Sequence, residues 1–232
     1  MTGISCILFD CMETVVDIVK KPDIRLYCEW AYFGSGYESL WDSFDSFVDG
    51  YEKAVNYLKS KQQEYEEHNI IDRYRHMVRM IPVHLHETET VVNAIFENYW
   101  NNYKRNCIVH DSVKSTLYSL SDRFRLGIVS NFIVDDGVEE LLDIHEISKF
   151  FDFVITSVKV GWRKPHENIY AAALDAAKAS KEQILFVGDD YVCDYEGPLK
   201  YGFNAVLLDR ESRFGSVNIR ISGIEDLVNL LC

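Results

Sequence analysis

The apolar run at residues 4–9, Ile-Ser-Cys-Ile-Leu-Phe, closed by Asp10, constrains the fold more than any other stretch. A run of that length reads as a strand buried on both faces, the kind found centrally in parallel sheets. Asp10 stands at its carboxyl end, and in open α/β sheets ligands bind beyond the carboxyl ends of the strands. An aspartate there is either a cap on the following turn or a reactive group presented to a crevice. The later strand ends decide between the two.

From Cys107 onward strands and helices alternate. A helix over 112–121 precedes a strand at 125–130, RLGIVS, and a helix over 136–142 leads to FDFVITS at 151–157. A helix over 167–179 precedes ILFVGD at 184–189, and one over 197–201 leads to NAVLLD at 204–209. A short VNIRI segment and an amphipathic stretch from Ile224 end the chain. This alternation predicts an α/β fold, a doubly wound and mainly parallel sheet with right-handed crossovers.

Residues 18–105 have a different texture. Tyr27, Trp30 and Ala31, then Leu40, Trp41, Phe44, Phe47, Val48 and Tyr51, recur at intervals of three and four, as amphipathic helices require. Gly34-Ser35-Gly36 separates the first helix from the second. The helical run continues over 52–80, until Pro82 and the HLHET segment interrupt it. Thr88 or Thr90 then caps a last helix carrying Val91, Val92, Ile95, Phe96, Tyr99 and Trp100. The expectation is an α/β core of residues 1–17 and 107–232 with an all-helical domain, 18–106, inserted after its first strand. The aromatic stripe of Trp30, Trp41, Phe44, Phe47 and Trp100 reads as the helical core rather than a cofactor box. His84 and His86 alternate as on an extended segment, and with no third ligand in evidence they predict no metal site.

Composition closes off several function classes. A net charge of −13 argues against nucleic-acid binding, which needs clustered Lys and Arg. The six cysteines are scattered with no C-x-x-C pair, so reduced thiols fit better than a disulfide or metal framework. No basic leader precedes the first strand, and no apolar run approaches the roughly 18 residues of a membrane span. A soluble cytoplasmic protein acting on a small molecule is expected, with no nucleic-acid or membrane partner.

The strand ends carry the chemistry. The first delivers Asp10, followed by Thr14; the second delivers Ser130-Asn131. The third runs into GWRKPHENIY, which presents Lys164 just before Pro165; the fourth delivers Gly188-Asp189-Asp190, with Asp194 close behind. In a doubly wound sheet these edges converge. So many carboxylates cannot all stay ionised together without compensating cations. Lys164 supplies one positive charge, and a hard, oxygen-seeking ion such as Mg²⁺ would supply the rest. In this company Asp10 is a reactive group rather than a cap.

The ordered set DCMET, SN, RKP and GDDYVCD resembles the motifs of the haloacid dehalogenase superfamily of hydrolases, and the similarity runs through residues 1–17 and about 107–232. The stretch GWRKPHENIYAAAL followed by ILFVGDDYVCDYEGPLKYGFNAVLLD is particularly specific. A helical insertion between the first two motifs matches the subgroup that includes the dehalogenases and many small-molecule phosphatases. The resemblance implies that Asp10 is a nucleophile forming an aspartyl ester, and that Ser130 and Lys164 bind the transferring group and neutralise developing charge. It places Thr14 and Asn131 on the substrate side. Asp189, with Asp10 and the backbone carbonyl of Met12, would ligate Mg²⁺, and Asp190 could exchange roles with Asp189. Asp194 would orient Lys164 or a water on the ion.

The chain departs from the family pattern just after the nucleophile. Family phosphatases carry a second aspartate two residues on, as general acid for the leaving group; here that residue is Met12, and the next, normally Gly, is Glu13. General acid–base catalysis contributes roughly 10²–10⁴-fold, so the change bears on the reaction itself. Four readings stay open. The first is a Mg²⁺-dependent phosphatase acting on esters with good leaving groups, or drawing its acid from Glu13 or the insertion. The second is a 2-haloacid dehalogenase, which needs no acid but which in this family lacks the first acidic-motif aspartate. The third is a hydrolase fold with little or no turnover. The fourth is C–P bond hydrolysis using a lysine of the insertion, for which Lys20, Lys21, Lys53, Lys59 and Lys61 are all available. The phosphatase reading is carried forward, with a phosphate ester as substrate and a haloacid as the alternative. Cys11 and Cys193 flank the expected site and read as packing residues rather than redox switches.

Overall fold

The computed structural model describes residues 3–81 and 87–231. Strand β1 (Cys6–Phe9) is buried along its whole length, as its unbroken apolar sequence demands. It pairs in parallel with β2 (Arg125–Ser130) on one side and with β4 (Ile184–Gly188) on the other, so that Phe9 lies level with Ile128 and Val187. Strand β3 (Phe153–Thr156) extends the sheet beyond β2; β5 (Asn204–Leu208) and β6 (Arg220–Ile221) extend it beyond β4. The order is β3-β2-β1-β4-β5-β6, with every neighbouring pair parallel. The strand order reverses at β1, so the crevice beyond its carboxyl end is the topological switch point where such sheets bind ligands.

The predicted α/β fold is therefore present, with its ends trimmed. The strand expected at 151–157 stops at Thr156, and 157–160 turn into a short helix. The VNIRI segment contributes only Arg220 and Ile221. Helices Asp111–Ser121, Gly137–Ile144 and Glu167–Ala177 connect the strands. Each large apolar side chain buried along this sheet contributes about 1.5–3 kcal/mol. Gly127 of β2 has a packing role: a Cβ there would run into the Phe153 ring of β3.

The chain divides into two compact units, one of residues 1–17, 65–67 and 108–232, the other of 18–64 and 68–107. The second unit is helical: α1 (Ile24–Tyr32), α2 (Phe44–Lys61), α3 (Ile70–Arg79) and α4 (Thr88–Arg105). Asp23 caps α1, and Ser43 and Ser46 cap α2 reciprocally, each hydroxyl accepting the other's backbone N–H at 3.1 Å. The carbonyls left open at the end of α1 are met from α4. Asn98 Nδ2 donates to Ala31 O and Phe33 O, and Asn102 Nδ2 to Trp30 O. Trp41 packs on Phe47 at 4.8 Å and Tyr32 on Phe44 at 5.4 Å, which makes the aromatic stripe a packed core.

Three expectations about this unit change. The helix read as continuous over 52–80 is two helices, broken at 62–69. Within that break Tyr65–Glu67 belong with the α/β unit, where Glu67 N–H donates to Gly161 O and Arg163 N–H to Tyr65 O. Neither Thr88 nor Thr90 caps α4; Glu87 holds the cap position with no side-chain bond to the helix N–H groups, and Thr88 is buried in the first turn. Pro82, His84 and His86 lie outside the described residues.

Candidate active site

Four strand ends bring their side chains together at the switch point. Asp10 follows β1, its backbone N–H bonded to Val187 O, so the ladder with β4 fixes where the carboxylate emerges. The chain then turns tightly, with the N–H groups of Thr14, Val15 and Val16 all reaching Cys11 O. Glu13 takes a left-handed conformation in this turn, φ 61°, which a residue with a Cβ adopts at a cost. The glycine normally found at this position in the family relieves that cost, less what glycine loses in the unfolded chain. Glu13→Gly should accordingly raise unfolding stability by about 0.5–1 kcal/mol in urea titrations. A loss of stability would mean that the Glu13 side chain contributes more than its backbone conformation costs.

Lys164 is the centre of the site. It is 2% exposed, and its ammonium donates to Asp10 Oδ1 at 2.7 Å, Asp194 Oδ1 at 2.7 Å and Val129 O at 2.8 Å. An ammonium has three donors, and all three are engaged. Burial alone would lower the pKa of this lysine; the charges of Asp10 and Asp194, with their hydrogen bonds, outweigh it and raise the pKa, so the ammonium persists.

Asn131 sets the height of that lysine. Its Oδ1 accepts the Lys164 backbone N–H at 2.7 Å, and its Nδ2 donates to Lys164 O at 3.0 Å. Asn131, expected on the substrate side, thus has both ends of its amide on the lysine backbone. Ser130 is buried beside it at the end of β2.

The acidic motif resolves into three different jobs. Asp189 follows β4, accepts a long 3.5 Å bond from Thr14 Oγ1, and joins Asp10 and Asp194 in a cluster whose carboxylate oxygens lie within 4.8 Å of one another. Asp190 is not in this cluster. Its Oδ1 accepts the N–H groups of Val192 and Cys193 at 2.9 and 2.8 Å and caps a π-helical turn, Tyr191–Glu196. Asp190, expected as a metal ligand able to exchange roles with Asp189, is exposed and has this oxygen on the turn. Asp194 lies inside the turn with its side chain 1% exposed, one oxygen on Lys164 and the other on the Asp190 N–H at 3.0 Å. Gly188 makes this possible, since a Cβ there would strike the Asp194 carboxylate. Thr14, expected on the substrate side, is fully buried against Asp189.

The electrostatics follow from burial. Burial pushes Asp189 up to about 6, with repulsion from Asp10 adding to it. Burial likewise pushes Asp194 up, against the pull of Lys164. Three carboxylates within mutual reach face one ammonium, and this excess of oxygen-bearing negative charge suits a hard divalent cation. Met12 stands in the turn after Asp10, paired with Val16 in an isolated bridge, and its thioether can transfer no proton.

Two supports went unread in the sequence. Tyr170 reaches across from the helix Glu167–Ala177 and donates to Cys193 O at 2.6 Å, bracing the turn that holds Asp194. Glu67 brings a carboxylate with a 2% exposed side chain to Ser157, whose hydroxyl donates to it at 2.9 Å and also reaches Phe132 O at 3.3 Å. Tyr170 lies in the YAAAL stretch, where helical spacing marks it as core; nothing local marks Glu67.

Comparison with known proteins adds the following. A family model for haloacid dehalogenase-like hydrolases matches residues 38–208, a span that takes in Ser130, Lys164, Asp189 and Asp194 but not Asp10. Human haloacid dehalogenase-like hydrolase domain-containing protein 3 is 35% identical over 120 residues, 50% of this chain and 47% of that protein. A glyceraldehyde 3-phosphate phosphatase of Methanothermobacter thermautotrophicus is 36% identical over 98 residues, 42% of this chain and 43% of that protein. The matches to these two relatives therefore cover less than half of either protein. Among solved structures, a 2-haloacid dehalogenase from Pseudomonas syringae superposes with a TM-score of 0.80 at 19% identity, over 98% of both chains. A phosphatase from Thermococcus onnurineus superposes with a TM-score of 0.69 at 19% identity, again over 98% of both. At such identities the structural likenesses speak for the fold.

Proposed function

The chain belongs to the haloacid dehalogenase-like hydrolases, and on that basis we propose that it is a Mg²⁺-dependent phosphatase of small phosphate esters. The observation that carries this reading is Asp189, a carboxylate set within 4.8 Å of Asp10 and Asp194 where a metal-free dehalogenase of this family has no charge. The relative named as a glyceraldehyde 3-phosphate phosphatase supports the same reading.

Asp10 is the nucleophile. One carboxylate oxygen is held by Lys164, which leaves the other to attack phosphorus. The new bond joins Asp10 to the phosphoryl group, the ester P–O bond breaks, and the leaving oxygen departs with the bonding electrons as a phenolate or alkoxide, which then takes a proton from water. Water then attacks the aspartyl phosphate, releasing inorganic phosphate and restoring the carboxylate. Lys164 would offset the charge that gathers on the transferring group, and the Ser130 hydroxyl would bind it. Asp10, Asp189 and the Met12 carbonyl are the groups that would hold Mg²⁺. When bound, the ion would supply positive charge opposite the phosphoryl oxygens. The helical unit is read as the cap that selects substrate. Five free cysteines among the described residues fit a reducing, cytoplasmic setting. No helix among the described residues is long and apolar enough to cross a membrane.

Met12 sets the test. Without a general acid, the chemical step should depend steeply on the leaving group. p-Nitrophenyl phosphate leaves as a stable phenolate and should turn over with Mg²⁺; alkyl phosphates, which leave as basic alkoxides, should be much slower. Met12→Asp, made together with Glu13→Gly so that the turn keeps the family geometry, should raise alkyl phosphate hydrolysis by a good part of roughly 10²–10⁴-fold. Equal wild-type rates on aryl and alkyl esters would show that another group serves as the acid. Met12 also favours the second reading, a dehalogenase, whose departing halide needs no proton. Turnover of 2-haloacids without metal, with none on phosphate esters, would establish that reading instead.

A further inference from the structure

Among the described residues of the helical unit is a guanidinium with no carboxylate paired to it. Arg73 of α3 is half-buried. Its Nε–H donates to His68 Nε2 at 2.8 Å, and an Nη1–H donates to the Tyr51 hydroxyl at 3.1 Å. Neither acceptor is charged. To accept from Arg73, His68 Nε2 must be unprotonated, while Nδ1, 2.9 Å from Gln62 Oε1, carries the proton; this is neutral imidazole. Tyr51 is 2% exposed, and burial raises its pKa, so it stays a phenol. Among the described residues no carboxylate pairs with Arg73. The contrast lies two residues on, where Arg75 is paired with both Asp72 and Glu89.

A second observation concerns the next residue. Tyr74 is fully buried, and its hydroxyl has no hydrogen-bond partner among the described residues. Such an orphan costs about 1–3 kcal/mol, and native structures rarely leave one without a use. The Tyr74 ring lies 5.8 Å from Tyr51 and 6.2 Å from Tyr99, and Tyr27 lies 5.8 Å from Tyr99. The Arg73 charge acts on all four phenols, and burial keeps each of them protonated, and so a donor. Arg73 has five N–H groups; with two engaged, the three that remain lie on Nη1 and Nη2, the pair that forms a fork. That fork matches two oxygens of one carboxylate or phosphate.

We propose that the helical unit binds an oxyanion, the carboxylate or phosphate group of a small molecule, on the Arg73 fork with the Tyr74 hydroxyl as a further donor. Carboxylate and phosphate share this binding chemistry, and the site does not depend on the reaction assigned to Asp10.

Calorimetric titration of the full chain with malonate and, separately, with inorganic phosphate reads the site directly. At least one of them should bind to wild type with an affinity that falls ten-fold or more in Arg73→Gln. Arg73→Lys, which keeps the charge but loses the fork, should lie between. Tyr74→Phe should weaken binding several-fold while leaving the ligand-free protein as stable as wild type or more so, because the orphaned hydroxyl is gone. That stability reading guards against a variant that has merely failed to fold. If neither probe shows binding that depends on Arg73, or if Tyr74→Phe binds as tightly as wild type, the proposal is overturned. Failure of the phosphatase reading would leave the calorimetry intact, so the two failures are distinguishable.

Discussion

Asp10→Asn is expected to abolish phosphate ester turnover, with a loss on the order of 10⁴-fold or more, as removal of a covalent nucleophile typically produces. The amide oxygen can still accept the Lys164 hydrogen bond made at 2.7 Å, so the fold and the lysine should stay in place. What disappears is the nucleophilic carboxylate oxygen that the lysine leaves uncommitted. The check has two parts. Steady-state rates on p-nitrophenyl phosphate with Mg²⁺ should fall to background. In rapid-quench experiments, wild type should carry a hydroxylamine-sensitive phosphoryl label that the variant lacks. If the variant keeps more than about a hundredth of the wild-type rate, the attacking group is water or another residue.

The second large effect is on stability. Lys164→Met keeps the length of the side chain but removes the cation that joins Asp10 to Asp194, both of which lie at the buried centre of the site. Removing one partner of a buried ion pair leaves an uncompensated charge and typically costs about 3–5 kcal/mol. The loss should be measurable by chemical denaturation in the presence of a chelator. Adding Mg²⁺ should restore part of it, because an ion on the same carboxylates takes over some of the lysine's role. Lys164→Met with Asp194→Asn should recover stability relative to the single variant, since the amide needs no counter-charge. A single variant as stable as wild type would mean that these carboxylates are not ionised together in the folded protein, and the cluster would lose its claim to a cation.

Much of this site was legible because its chemistry lies where strands end. An unbroken apolar run can only be a strand buried on both faces, so whatever follows it stands at a sheet edge. That is why Asp10, Ser130 and Asp189 could be placed from their positions alone. Lys164 was legible through the motif around it. The partition of the acidic motif was not: Asp189 and Asp190 are adjacent and chemically identical, and only the π-helical turn, whose N–H groups claim the Asp190 carboxylate, tells them apart. The role of Asn131 was hidden for a related reason. Its amide finds the Lys164 backbone 33 residues away, a contact that no local pattern encodes.

What the sequence determined by itself is the layout: apolar runs that must become parallel strands, three-and-four spacing that must become helices, and reactive side chains at the strand ends. These follow from periodicity and from the direction of the chain, which act over a few residues. The tertiary structure alone decided which side chains meet. It bonded Lys164 to Asp10 and Asp194 at once, drew Tyr65–Glu67 out of a helical stretch to join the α/β unit, and, among the described residues, left Arg73 without a carboxylate and the Tyr74 hydroxyl without a partner. Each of those outcomes depends on distances between segments far apart in the chain, and these are set only once the strands have chosen their order and the helices their packing.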